Sequence, residues 1–337
     1  MFVLLKVAEV TVPRIFCSRN RIALSIYRLV LPAVCMRQPL AASLAAVCLT
    51  VLPALADGEP KASPARVSAP SGETKNEGIP GALVIVGGGG FPDDIRDRFL
   101  QLAGGKKGHL VVIPTASEFE VRTQNFFSFK YWQTQGLASV SLLHTFDPKE
   151  ANDPSFVQPL KKATAAWLDG GDQMRLVKAY HGTAVEKELR QLLARGGVIG
   201  GTSAGASVMS DVMIAGGERQ VRVGEGFGLL PNVVIDQHFR NRKRQKRLLS
   251  VLASHPRCLG LGIDEATAVV VKGHTFTVLG RDHVSVCLPP AEGDEGSVKL
   301  LKPGEEGDLF KLSEDVMARL KAPSESKSMA AKTATTP

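Results

Sequence analysis

The feature that most constrains this chain is a repeated alternation. Short apolar runs end in glycine-bearing loops, and amphipathic stretches lie between them. Ala82–Val86 and His109–Ile113 read as short buried strands, and Ser117–Gln135 as mainly helical. Ser139–Leu143 is another strand, and Ala163–Leu168 is a strand running into Asp169-Gly170-Gly171. Thr183–Arg195 reads as a helix stopped at Gly196-Gly197, and Val198–Gly200 as a short strand reaching Ser203. Val233–Asp236 is a strand ahead of a helix expected over Asn241–Ala253. Uninterrupted apolar strands separated by helices must be covered on both faces. The pattern therefore predicts an α/β three-layer sandwich, with a mainly parallel central sheet flanked by helices. Near the C-terminus, Thr267–Lys272, His274–Leu279 and Val284–Leu288 are separated by tight turns and read as antiparallel additions at the sheet edge.

Composition narrows the classes. Hydrophobic residues make up 44% and charged residues 22% of 337 residues, which excludes disorder throughout and a collagen-like repeat. The net charge of +8 suggests an anionic partner, but residues 1–56 carry six basic side chains against one acidic, Glu9. Only +3 remains over residues 57–337, and the expectation is no nucleic-acid partner.

The N-terminal region, 1–56, is expected to be a leader. Met36-Arg37, an apolar stretch and the small-x-small sequence Ala54-Leu55-Ala56 form a signal peptide over 36–56, cleaved before Asp57. Pro53 breaks the apolar run, so no stable membrane insertion is expected after cleavage, and the location is secreted or periplasmic. Residues 1–35 fit either a bipartite leader or an initiator at Met36. Residues 57–80 read as a flexible linker, 81–320 as one folded domain, and 321–337 as a disordered tail. Cys258 and Cys287 lie inside the domain, and either a disulfide or two separate thiols fits them.

The strongest local chemical signal is Gly200-Gly201-Thr202-Ser203-Ala204-Gly205-Ala206. Gly201 and Gly205 flank Ser203 at the spacing of a nucleophile elbow, where the backbone turns too sharply for bulky neighbours. Such a turn exposes the hydroxyl and aims N–H groups, including that of Ala204, at an oxyanion. The alternative is a phosphate-binding or merely tight strand–helix turn. A serine nucleophile needs a base, and His238 in Asp236-Gln237-His238-Phe239 stands at the C-terminal end of a strand, where open α/β sheets place ligand residues. Glu218 and Glu225 both lie between Ser203 and His238 as candidates for the acid that orients the imidazole, and spacing does not separate them.

Two further loops and one charged run complete the candidates. Gly170 and Gly171 could add oxyanion donors, with Gln173 on the substrate and Asp172 either on the substrate or simply a helix cap. Gly87–Gly90 could cradle an anion, without the spacing of a nucleotide loop. Arg240, Arg242, Lys243, Arg244, Lys246 and Arg247 form a basic run just after His238, which suits carboxylate binding.

Taken in order, these segments resemble the cyanophycinases and their relatives in the aspartyl dipeptidase group of serine peptidases. The resemblance is carried by Gly87–Gly90, Gly170-Gly171-Asp172-Gln173, the Ser203 elbow and Gly216-Gly217-Glu218. It continues through Asp236-Gln237-His238-Phe239, Arg242, Arg244 and Gly262-Ile263-Asp264-Glu265, and covers most of residues 81–290. It implies a fold related to class I glutamine amidotransferases and a Ser203–His238–Glu218 triad. Oxyanion donors would come from Ala204, Gly170 and Gly171. Substrate contacts would come from Gln173, Asp172, Asp236, Gln237, Arg242 and Arg244. The implied activity is exopeptidase cleavage of cyanophycin, an arginyl-polyaspartate, into β-aspartyl-arginine dipeptides through an acyl-enzyme, with no cofactor and no metal. Small aspartyl or isoaspartyl peptides are the alternative substrates, and a non-catalytic peptide-binding protein is the alternative of another class. The partner expected is a peptide or polyaspartate-type polymer, with a homodimer left open.

Overall fold

The computed structural model describes residues 78–218, 220–291 and 294–321. The leader and signal readings, nearly all of the linker and the tail beyond 321 lie outside the described residues. Fourteen strands are described. They are β1 (Ile79–Val86), β2 (His109–Ile113), β3 (Ser139–Leu142), β4 (Ala165–Leu168), β5 (Val198–Thr202), β6 (Val212–Gly216), β7 (Arg222–Glu225), β8 (Val233–Gln237), β9 (Leu259–Ile263), β10 (Thr267–Gly273), β11 (Thr275–Gly280), β12 (Val284–Leu288), β13 (Ser297–Leu301) and β14 (Glu306–Asp308). The helices are α1 (Asp93–Leu102), α2 (Glu118–Thr123), α3 (Phe127–Gln133), α4 (Gln158–Lys162), α5 (Gln173–Tyr180), α6 (Ala184–Ala194), α7 (Ala204–Ser207), α8 (Gln245–Ser254) and α9 (Leu309–Lys321). Among the described residues no helix is long and apolar enough to cross a membrane.

The central sheet runs β14-β11-β10-β1-β5-β4-β2-β3. The five strands from β1 to β3 are mutually parallel, and β10, β11 and β14 continue the sheet in antiparallel sense. A second sheet, β13-β12-β9-β8, pairs β8 and β9 in parallel and adds β12 and β13 antiparallel. Two of the three C-terminal strands thus extend the central sheet as expected, whereas Val284–Leu288 belongs to the second sheet.

Side-chain alternation explains the layering. On β1, Ala82, Val84 and Val86 join a core with Ile95 and Phe99 of α1 and Trp132 of α3. Leu83 and Ile85 point to the other face, into a core with α4, α5, α6 and the strands β8, β9 and β12. The outer side of the second sheet is closed by Leu248, Val251 and Leu252 of α8 against Val234, Cys258 and Cys287. Each fully buried Val, Leu or Ile contributes roughly 1.5–3 kcal/mol, so the fully buried run Leu83–Val86 is a principal tie between the layers.

Three local departures have physical causes. The long helical stretch expected after Ser117 is two short helices, because Gln124 adopts φ 53° and ends α2. The helix expected from Asn241 starts at Gln245, since His238 and Lys243 both have positive φ and residues 239–244 form hydrogen-bonded turns. Cys258 and Cys287 are free thiols, buried and pushed up to about 11 and about 12 by that burial.

Candidate active site

The parallel strands of the central sheet and of β8–β9 end at one rim, and the chemistry-bearing residues gather there. Ser203 follows β5 with φ 52° and ψ −107°, a conformation costly for any residue with a Cβ. Its neighbours make the turn possible. A Cβ on Gly201 would come within 2.5 Å of the Gly205 carbonyl oxygen, and one on Gly205 within 2.1 Å of the Leu168 oxygen. Ser203 N–H donates to Val86 O at 2.9 Å, tying the elbow to β1.

Ser203 Oγ lies 3.0 Å from His238 Nε2, and His238 Nδ1 lies 2.7 Å from Glu265 Oε1. His238 is also held by its N–H, which donates to Gly87 O at 2.8 Å. Burial lowers the His238 pKa from its ordinary value. Glu265 opposes that shift, and the Arg242 and Arg244 charges add to it. The imidazole is therefore biased towards its neutral, proton-accepting form.

The third position is a correction. Glu265, two residues beyond β9, contacts His238, whereas Glu218 is exposed on the β6–β7 connection and lines the pocket. Glu225 reaches His181 Nε2 at 3.5 Å. Both glutamates between Ser203 and His238 belong to the β6–β7 hairpin, which does not bring them to His238 Nδ1. The strand-end rule that singled out His238 applies equally to Glu265 and was the signal available for it.

The Gly87–Gly90 loop passes in contact with His238 and Glu265. A Cβ on Gly88 would stand 2.4 Å from His238 Cε1, and one on Gly89 2.5 Å from Glu265 Cδ. Both glycines also have positive φ, at 93° and 70°.

Beside Ser203 lies a pocket of about 560 Å³, lined by Gly171, Asp172, Gln173, Gly217, Glu218, Gln237, Arg242, Arg244 and Arg247, among others. That volume is in the range of small-molecule sites, roughly 300–1,000 Å³. Gly170 packs against Ser203, where an added Cβ would sit 3.4 Å from the serine Cβ. Asp172 lines the pocket and caps α5, accepting from Met174 N–H at 2.8 Å. Gln173 is buried and donates from Nε2 to Ile214 O at 2.7 Å.

The basic run divides by direction. Arg242 is exposed on the pocket wall. Arg244 is buried, with Nη1 donating to Gln237 O at 2.7 Å and to Gln237 Oε1 at 2.8 Å. Arg247 grips buried Asp236 through a two-pronged contact and donates to Gly217 O at 3.0 Å. Asp236 therefore does not face the pocket as a substrate ligand. It is consumed beneath it by Arg247, with Arg244 3.7 Å away. Gln237 lines the pocket while its carboxamide oxygen braces Arg244. Arg240 turns away and binds Asp264 and Asp282. Asp264, Asp282 and His283 bring ligand atoms within 4.8 Å of one another, but the Arg240 guanidinium already occupies both carboxylates.

A family model described as Peptidase family S51 matches residues 83–279. The chain is 37% identical over 205 residues to a cyanophycinase of Geminocystis herdmanii (strain PCC 6308), covering 57% of this chain and 74% of that protein. It is 35% identical over 229 residues to a cyanophycinase of Synechococcus elongatus, covering 64% and 70%. Against a cyanophycinase of Nostoc sp. (strain PCC 7120 / SAG 25.82 / UTEX 2576) it is 34% identical over 223 residues, covering 62% and 74%. Among solved structures, a peptidase from an acI-B1 actinobacterium superposes with a TM-score of 0.56 at 24% identity, over 68% of this chain and 97% of that one, a likeness of fold.

Proposed function

Because the chain belongs to peptidase family S51 and is a serine-type peptidase, we propose that it is an exopeptidase acting on cyanophycin, a polyaspartate bearing arginine on its side-chain carboxylates, and releasing β-aspartyl-arginine. The observation that carries this reading is the hydrogen-bonded line from Ser203 through His238 to Glu265, opening onto a pocket walled by Arg242 and Arg244. The cyanophycinase relatives supply the substrate class.

The chemistry follows from the geometry. Glu265 fixes the His238 tautomer with Nδ1–H towards the carboxylate, which leaves Nε2 to accept the Ser203 proton. The Ser203 oxygen attacks the scissile carbonyl and an oxyanion forms. N–H groups of Ala204, Gly170 and Gly171, beside Ser203, stabilise it. His238 then returns the proton to the departing amine as the C–N bond breaks. Water, deprotonated by the same imidazole, cleaves the ester and restores Ser203. Arg242 and Arg244 engage substrate carboxylates, and Asp236, Gln237 and Arg247 hold the Arg244 wall in place. The leader reading adds that this processing takes place outside the cytoplasm.

Incubation of the protein with purified cyanophycin and with Asp-X dipeptides, read by mass spectrometry, tests the proposal. The expected product is β-aspartyl-arginine, lost in Ser203→Ala. Cleavage of Asp-X dipeptides alone would move the substrate to small aspartyl peptides, and activity unchanged in Ser203→Ala would remove the nucleophile.

A further inference from the structure

A second surface is joined to the pocket wall through the backbone. Asp172, on the pocket wall, donates its N–H to Ala116 O at 3.0 Å, and α2 begins two residues beyond Ala116 with Ser117 as its cap. Helices α2 and α3 therefore stand on the rim that carries Ser203, beside Gly171 and Asp172. They present Phe119 and Phe127, 54% and 53% exposed, with near-parallel rings 6.1 Å apart. The inner side of α3 is satisfied separately, since Trp132 packs on Phe91, Phe99 and Trp167 at 5.6, 5.1 and 5.0 Å. One polar tie fixes α3 to the pocket loop and a second fixes α3 to α2. Ser128 Oγ donates to Asp169 Oδ1 at 2.7 Å, one residue before Gly170, and Ser128 N–H donates to Glu120 Oε1 at 3.2 Å. Exposed aromatics on so well anchored a support mark a contact surface.

Two of the protein's own cations already rest on this surface. Lys130 Nζ lies 5.9 Å from the centroid of the Phe127 ring, so that ring already receives a cation. Glu118, 72% exposed and adjacent to Phe119, holds the guanidinium of Arg175 at 3.1 Å. A guanidinium is planar and weakly hydrated. It stacks on aromatic faces and forks onto carboxylates. The exposed Glu118–Arg175 pair contributes little to stability, so an arginyl side chain of a bound polymer can take the place of Arg175 there.

We infer that Phe119, Phe127 and Glu118 form an outer subsite holding arginyl side chains of polymer units beyond those placed at Ser203. The inference rests on the polymer reading of the active site. A polymer with a guanidinium on every unit meets this surface repeatedly while its terminal unit occupies the pocket, so the subsite acts on polymer affinity and not on bond cleavage.

The test compares soluble cyanophycin with a two-unit β-aspartyl-arginine oligomer, measuring KM and kcat for each. In Phe119→Ala/Phe127→Ala the polymer KM is expected to rise about tenfold, from two lost cation–π faces. The oligomer KM should move less than about twofold on the same grounds. Phe119→Leu/Phe127→Leu keeps apolar bulk and should lose affinity alike, whereas Phe119→Tyr/Phe127→Tyr should retain it. Thermal melting confirms folding of each variant. Equal KM changes for polymer and oligomer would overturn the subsite, as would full polymer affinity in the leucine variant. So would a change in sedimentation state, which would assign the patch to contact with a second copy. Wild-type protein that cleaves neither substrate would remove the polymer reading and the subsite together, whereas active wild type with unaltered variants removes the subsite alone.

Discussion

Replacing Glu265 with glutamine separates the contact seen at His238 from the acid expected earlier in the chain. When Ser203 attacks, His238 becomes a cation with the Glu265 carboxylate 2.7 Å from Nδ1, against the opposing charges of Arg242 and Arg244. For charge centres about 4 Å apart at an effective dielectric of 20, the attraction is about 4 kcal/mol. Most of that exists only once the imidazolium forms, so its loss raises the barrier and not the KM. At 1.36 kcal/mol per tenfold, kcat should fall by about 10³ in Glu265→Gln. The pH profile adds a second readout. Glu265 favours protonated His238, so removing it lowers the histidine pKa further, and the acid limb of kcat/KM should move to lower pH as the plateau drops. Glu218→Gln, by contrast, should alter KM by a few fold and leave the acid limb in place, because Glu218 lines the pocket and lies away from His238 Nδ1. The assay is release of β-aspartyl-arginine across pH, with melting temperatures as the control for folding. A 10³-fold loss in Glu218→Gln together with near wild-type kcat in Glu265→Gln would refute the reasoning.

Two further perturbations read the support of the site. Gly88→Ala places a methyl group 2.4 Å from His238 Cε1 and forces φ 93° on a residue with a Cβ. The expected cost is about 1–2 kcal/mol of stability and about 10²-fold in kcat from the displaced base, checked by melting and steady-state rates. Asp169 is buried and its carboxyl is pushed up to about 7 by that burial, with Glu120 adding to the shift. Its folded pKa is above its unfolded one, so its stabilising effect is complete below about pH 4 and is lost as pH rises through about 7, on the order of 4 kcal/mol in all. Asp169→Asn should flatten that pH dependence in calorimetric scans, and parallel wild-type and variant curves would contradict it.

Much of the fold was legible because burial on two faces leaves a direct trace in sequence. His109–Ile113 and Val284–Leu288 appear as strands with the bounds read from their apolar runs. The β6–β7 hairpin was not legible, since β7 is four residues with one apolar side chain, Val223, and the apolar stretch of β6 is short and only partly buried. The break between α2 and α3 was missed for another reason. Gln124 enters the left-handed region without a glycine or proline to announce it. In the basic run, spacing marked a cluster but could not assign its directions. Asp264 and Asp282 draw Arg240 away from the pocket, and Asp236 holds Arg247 in its wall; these partners are remote in sequence or hidden at a strand end.

The site residues come from different sheets, which explains why the acid could not be chosen by order along the chain. Ser203 leaves β5 of the central sheet, whereas His238 and Glu265 leave β8 and β9 of the second. Periodicity describes how each strand sits within its own sheet, but the Ser203–His238 distance depends on how the two sheets dock. That docking is enforced twice. Leu83, Ile85 and Ile199 of the central sheet share one core with Ile235, Leu261 and Ile263 of the second. At the rim, His238 N–H donates to Gly87 O and Ala266 N–H to Gly88 O, so β1 clasps the segments on either side of the His238–Glu265 pair. A core substitution at Ile235 or Leu261 would therefore act on catalysis through geometry, since a shift of about 1 Å between reacting groups can cost 10²-fold in rate. The glycines at 88 and 89 are the sequence trace of this docking, because they mark where one sheet's loop must pass within contact of side chains carried by the other.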